Sequence, residues 1–168
     1  NGIVVQSIGF KRYLPVGRPR FPIEFIARWD VDEIVLLDMS ATTENHTLDT
    51  SLLELLSRFC FVPLTVGGGI KTVNDVRKII AAGADKVAIN SHAVARPQLV
   101  SEIANIFGNQ GVVVSIDCRL EEDGSYQVYT HSGTRGTGMT AEKWAKQVEE
   151  LGAGEIFLNS IDRDGSKQ

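Results

Sequence analysis

Residues 62–91 read VPLTVGGGIKTVNDVRKIIAAGADKVAINS, and this one stretch holds two strands, the helix between them and both turns. Val62–Val66 is a short, continuous apolar run rich in β-branched residues, the pattern of a strand buried on both faces. It stops at three glycines, Gly67, Gly68 and Gly69. Thr72 then stands as an N-cap with Asp75 three residues on, and Val73, Val76, Ile79 and Ile80 repeat at helical spacing. Gly83 falls where that helix must stop in a left-handed conformation. Lys86–Asn90 resumes as a second apolar run. A strand that returns through a helix over so few residues runs parallel to its successor, with a right-handed crossover.

The same unit recurs on either side. Glu33–Met39, Gly111–Asp117 and Glu155–Ser160 are three further apolar runs. Leu52, Leu53, Leu55, Leu56 and Phe59 mark a helix before the central stretch; Leu99, Val100, Ile103 and Ile106 mark one after it. Trp144, Ala145, Val148 and Leu151 mark another, bracketed by Thr140 and Gly152, and Pro97 suits the first turn of its helix. Phe21 to Trp29 reads as one more helix, entered through Pro22.

Strand and helix thus alternate with a period of roughly 25 to 30 residues, which defines an α/β fold. Alternation alone is compatible with an open doubly wound sheet or with a closed barrel. The charges at the strand starts favour the barrel. Asp32-Glu33, Asp85-Lys86 and Glu155 would each need a separate partner in an open sheet. In a (β/α)8 TIM-type barrel they form one layer at the bottom, where Lys86 pairs with Glu33 and Glu155.

Composition removes several classes of function. With 43% hydrophobic and 23% charged residues and a net charge of −4, nothing suggests nucleic-acid binding; the sparse cluster Lys11, Arg12, Arg18 and Arg20 reads as a solvated or phosphate-binding loop. Two cysteines, Cys60 and Cys118, make neither a disulfide scaffold nor a zinc site, and Cys60, among Phe59, Phe61 and Val62, reads as a buried hydrophobe. His46 and His92 lack ligand-like companions, so no metal is expected. No apolar run approaches the ~18 residues of a membrane span. The expected compartment is the cytoplasm, and the start at Asn1 without a methionine suggests a fragment.

In a barrel the chemistry sits at the strand C-termini. Those ends are Asp38-Met39-Ser40, Gly67-Gly68-Gly69, Asn90-Ser91, Asp117-Cys118-Arg119 and Ser160-Ile161-Asp162-Arg163-Asp164-Gly165. Gly68 and Gly69 let backbone amides approach an anion, with Asn90 and Ser91 one unit later, which points to phosphate. Asp117, at the mouth of an apolar strand, is placed to act as general acid or base. Asp38, Asp162 and Asp164 could orient substrate hydroxyls or simply organise their loops. Asp123-Gly124 marks a hairpin between Leu120 and Tyr126 that could shield the catalytic face, and His131 behind it reads more readily as a loop residue than as a base.

Leu64–Ile70, Gly83–Ser91, Val114–Asp117, Tyr129–Gly133 and Gly152–Gly165 together resemble the cyclase subunit of imidazole glycerol phosphate synthase, along nearly the whole chain. That resemblance implies a barrel of which residues 1–168 are a single domain covering roughly strands 2 to 6, with the remaining strands before Asn1 and after Gln168. It implies no cofactor, and a glutamine amidotransferase partner supplying ammonia for cleavage and cyclisation of a phosphorylated ribulosyl aminoimidazole carboxamide. Asp117 becomes one of two catalytic aspartates, the other falling on a strand ahead of Asn1. Gly69, Asn90 and Ser91 become the first phosphate site, and Asp164 and Gly165 contact substrate at the second. Glu33, Lys86 and Glu155 become the ammonia gate facing the partner.

Gln6 stands where that family usually has a basic residue in a flexible covering loop, and Asn159 where it usually has threonine. With residues 10–17, these resemble instead cyclase-like paralogues that channel ammonia to a sugar in surface-polysaccharide synthesis. A third reading is an inactive barrel fragment that self-associates through open sheet edges.

Overall fold

The computed structural model describes residues 2–166, so the expected boundaries at Asn1 and Gln168 lie outside the described residues. In chain order the elements are β1 (Val4–Ile8), β2 (Arg12–Gly17), α1 (Arg20–Ala27), β3 (Ile34–Leu37), α2 (Thr50–Ser57), β4 (Leu64–Gly67) and α3 (Val73–Ala81). There follow β5 (Lys86–Ile89), α4 (Ser91–Ala95), α5 (Gln98–Phe107), β6 (Val112–Leu120), β7 (Tyr126–Thr130), β8 (Arg135–Thr140), α6 (Ala141–Glu150) and β9 (Glu155–Ser160).

Strands β3, β4, β5, β6 and β9 lie side by side and parallel, five strands in the order of the (β/α) units. This is the parallel portion of a (β/α)8 barrel. Strand β6 is long enough to serve three neighbours. Val112–Val114 pair with β5, Val113–Cys118 with β9, and Asp117–Leu120 antiparallel with β7. Beyond β7, β8 completes an antiparallel extension.

The helices form where their caps and stripes predict. Thr72 and Asp75 close a reciprocal capping box on α3, and the Thr140 hydroxyl accepts from the Lys143 amide at the start of α6. Their apolar stripes cover the outer sheet face. Val66, Val87, Val112, Val114 and Ile116 pack there with Leu53, Leu56, Val76, Ile79, Ile103 and Trp144, all buried. Each such side chain contributes about 1.5–3 kcal/mol by leaving water. Ile103→Ala would cost about 2–5 kcal/mol through the cavity it leaves.

The alternate residues, two apart along each strand, face the concave side. They are Val35 and Leu37, Thr65 and Gly67, Lys86 and Ala88, Val113, Ser115 and Asp117, and Glu155, Phe157 and Asn159. Lys86 shows the curvature. It bonds Glu33 just before β3 and Glu155 on β9, each two strands away, at 2.8 and 2.6 Å. In a flat sheet those strands would lie about 10 Å to either side.

Four expectations need correction. The segment ahead of α1, read as a loop, is the hairpin β1–β2; β1 is only half-buried, β2 is mostly exposed, and neither has a fully buried residue, so they carry no buried-strand pattern. The first helix starts at Arg20, with Pro19 as its cap, so Pro22 sits inside the first turn. Cys60 is only half-buried, its thiol donating to the Val62 carbonyl. On α5, Ile106 is exposed although it continues the helical spacing.

Candidate active site

At the C-terminal end of the concave face three side chains from three strands converge. Asp117 closes the inner row of β6 and is buried. Asn90, following β5, donates its side-chain amide to Asp117 Oδ2 at 2.6 Å. Asn159 on β9, the register partner of Asp117, donates to Oδ1 at 3.4 Å. Burial pushes the Asp117 carboxyl up, the amides of Asn159 and Asn90 pull it part of the way back, and the Asp164 charge adds to the rise; the pKa lies at about 6. A carboxyl that titrates there can both take and give a proton near neutral pH.

One unit away, Gly68 and Gly69 turn through positive φ at +120° and +67°. Their lack of Cβ is structural as well as chemical. A Cβ on Gly69 would meet the His46 carbonyl at 1.8 Å, and one on Gly68 the Asp38 carbonyl at 2.6 Å. The glycines thus let β4's turn lie directly on the segment after β3. Ser91 starts α4, and its hydroxyl accepts from the His131 amide at 3.0 Å.

That contact belongs to a turn reaching over the sheet from between β7 and β8. His131, Ser132 and Gly133 all hold positive φ, at 52°, 55° and 76°. Two consecutive non-glycine residues in that region are strained. The turn is tied down at Ser91, at the Met39 carbonyl, which accepts from Ser132 at 3.2 Å, and by Arg119, which donates to the Gly133 carbonyl at 3.3 Å. Burial and then Arg135 hold His131 below the usual histidine range; burial, Lys71 and His131 do the same to His92. Lys71 and Arg135 are thus the cations of this cluster, and the two imidazoles beside them are kept neutral.

Asp38 and Asp164 have other partners. Asp38 folds back on its own turn, Oδ1 accepting from both the Ser40 amide and hydroxyl at 3.0 Å. Asp164 holds the tip of the β1–β2 hairpin, its carboxylate accepting from the Phe10 amide at 3.1 Å and its carbonyl from the Gly9 amide at 3.0 Å. A Cβ on Gly165 would meet the Ser7 carbonyl at 2.2 Å. Asp162 pairs with Arg119 at 3.8 Å and accepts from the Leu120 amide at 2.9 Å.

The opposite end of the concave face carries the ion cluster. Lys86 bonds Glu33 and Glu155, and the Thr65 hydroxyl donates to Glu33. Burial pushes the Glu33 carboxyl up, but the Lys86 and Thr65 hydrogen bonds together outweigh it and leave it below its ordinary value. Glu155 and then Glu33 raise Lys86.

The histidine biosynthesis protein family matches residues 1–168. The chain belongs to that family. Within it, proteins of Streptomyces avermitilis and Streptomyces coelicolor, each named imidazole glycerol phosphate synthase subunit HisF, are 45% identical over 170 residues. Each alignment covers 99% of this chain and 66% of the relative. A Vibrio vulnificus protein named for the same subunit as hisF2 is 43% identical over 166 residues, covering 99% of this chain and 61% of its own. The chain therefore spans 61 to 66% of the length of these family members.

In this family member, then, the expected residues divide into separate clusters. Asn90 meets Asp117, and Glu33, Lys86 and Glu155 meet one another. Ser91 meets the 131–133 turn, Gly68 and Gly69 lie against the segment after β3, and Asp38, Asp164 and Gly165 serve neighbouring loops. In the sequence Asn159 stands out only as a departure from threonine. Counting by two from Glu155 through Phe157 puts it on the inner face, the signal that could have found it.

Proposed function

We propose that this chain carries the acid/base centre and the first phosphate site of an imidazole glycerol phosphate synthase cyclase. The observation that carries the reading is Asp117, buried at the mouth between two amides and titrating near neutrality. The family resemblance supplies the reaction. Ammonia from a glutamine amidotransferase partner converts a ribulosyl aminoimidazole carboxamide bisphosphate to imidazole glycerol phosphate and an aminoimidazole carboxamide ribotide.

The geometry supports a division of labour. One substrate phosphate lies against the backbone of Gly68 and Gly69 and the turn at Asn90-Ser91, with Lys71 and Arg135 supplying positive charge and His92 and His131 standing by as neutral imidazoles. Asp117 then moves protons at the ring being closed. The strained turn at 131–133 covers this end and limits water. Asp38, Asp164 and Gly165 hold the loops that frame the second phosphate. Ammonia enters from the opposite end, past Glu33, Lys86 and Glu155, where the amidotransferase docks.

Among the described residues no helix is long and apolar enough to cross a membrane, and we place the reaction in the cytoplasm. The exposed apolar residues of β9, Ile156 at 41% and Leu158 at 61%, support pairing of this 168-residue chain with a second copy. A clean monomer by light scattering would remove that part of the proposal.

The test of the reaction is ammonia-dependent turnover, followed by absorbance, in the protein extended to the full length of its relatives. Turnover that vanishes in Asp117→Asn supports the cyclase. A folded, substrate-saturated protein without turnover sinks it. Asn159 on the Asp117 carboxylate and the uncharged, exposed Gln6 on β1 favour the second reading in that event, a paralogue delivering ammonia to a sugar.

A further inference from the structure

The sequence points Asn90 towards phosphate, yet its side chain is turned to a neighbour. Its amide makes a 2.6 Å bond to Asp117, while its Oδ1 is buried with no partner among the described residues. Asn159 approaches the same carboxylate from the opposite strand. The three side chains thus stand in a row across β5, β6 and β9, a donor on each side of one acceptor group. A carboxylate has about four lone-pair sites, so two donors fix its plane without using it up. The two bonds are unequal. Oδ2 takes the short one, while Oδ1 takes a bond near the limit of the interaction and keeps its lone pairs freer.

We propose that Asn90 and Asn159 are positioning residues for Asp117, a cradle of two amides that anchors Oδ2 and leaves Oδ1 as the oxygen that exchanges protons with substrate. The assignment rests on the acid/base role proposed for Asp117. It also accounts for Asn90 Oδ1, because a buried acceptor beside the reacting carboxylate is matched by a substrate N–H or O–H. Both substrate contacts then come from one row of side chains, and the amides never change charge while Asp117 does.

The other ionisable groups around the row do not substitute for the amides. Asp164, from the turn after β9, bears on Asp117 as a like charge, and the Cys118 thiol points to the Asn159 carbonyl on the outer face. Arg119 and Asp162 are engaged with each other, and Arg119 also stacks on Tyr129.

The experiment is a carbon-13 NMR titration of the Asp117 carboxyl in the 168-residue chain, with the signal assigned by its loss in Asp117→Asn. Asn90→Leu and Asn159→Leu each remove one donor to the charged form. Asp117's midpoint should rise by about one pH unit in the first and by about half that in the second. Asn159→Thr, which keeps a hydroxyl donor, should recover part of its rise. In the extended protein, the pH limb of kcat/KM should move with the midpoint. Unchanged midpoints in both leucine variants, with the circular dichroism spectrum preserved, would overturn the cradle whatever the enzyme does. Midpoints that rise while the pH limb stays fixed would leave the cradle standing as a structure and defeat the acid/base role of Asp117. Should Asn90→Leu fail to fold, Asn90→Ala removes the same donor with less bulk, and the same midpoint decides.

Discussion

The two ends of the concave face solve one problem in opposite ways. At the strand starts, Lys86 answers two carboxylates with a formal charge, and all three groups keep contact with water, with side chains 18% to 47% exposed. At the strand ends, Asp117 is buried, and what touches its oxygens is a pair of neutral amides. A cation locks its partner in the ionised state, and Glu33 ends below its ordinary value. Amides compensate only part of the desolvation cost, and Asp117 ends at about 6. The first arrangement makes a fixed charge pattern suited to guiding or gating. The second makes a group whose charge can change within the working pH range. Between them Val113, Ser115, Ala88 and Phe157 form a short belt that separates the clusters along the same strands.

The comparison is most exposed to Asp117→Asn. In the extended protein this change should lower turnover by roughly 10²–10⁴-fold, the usual worth of a positioned acid or base. The same change should stabilise the fold at alkaline pH. The folded pKa of Asp117 is raised, so its stabilising contribution is fully present below about pH 4 and lost as pH rises through about 6. Urea unfolding at pH 8 should show the variant more stable by about 2 kcal/mol, with a flatter dependence on pH between about 4 and 7. An unaltered pH dependence would mean that Asp117 is not the buried titrating group.

Next comes Gly69→Ala, which sets a Cβ against the His46 carbonyl at a positive φ of 67°. A loss of about 2–3 kcal/mol in thermal or denaturant unfolding is expected, together with weaker retention of inorganic phosphate. Lys86→Met should cost less, about 1 kcal/mol, because its partners remain partly hydrated. It should leave the Asp117 midpoint where it is, and a shift would show that the belt fails to separate the two ends. Smallest of all, raising sodium chloride to about 0.5 M should weaken the Lys86 cluster by less than about 0.5 kcal/mol, seen as a small drop in the urea midpoint.

The parallel strands were legible because burial on both faces leaves a continuous apolar run, and Thr72, Gly83, Thr140 and Gly152 punctuate them unambiguously. The Lys86 cluster was legible too, since its charges sit at the same offset from three strand starts. Hairpin β1–β2 was not, because an exposed two-stranded ribbon needs no apolar periodicity. Helix α4 is five residues long, too short for a periodic signal. Asp117 stood out as a carboxylate ending an apolar strand. Its partners lie 27 and 42 residues away, and only the register of three strands brings those amides to its oxygens.

That register has a kinetic side. Strand β6 is shared by β5, β7 and β9, and Asp117 lies opposite both Tyr129 and Asn159. The row of Asn90, Asp117 and Asn159 can therefore be completed only after β9 has closed onto β6, across a separation of 42 residues. In reverse, a fluctuation that peels β9 from β6 takes Asn159 away from Asp117 while β3, β4 and β5 stay paired. Slow-exchanging amides should persist in those three strands after the amides that β6 and β9 share have traded their protons for solvent.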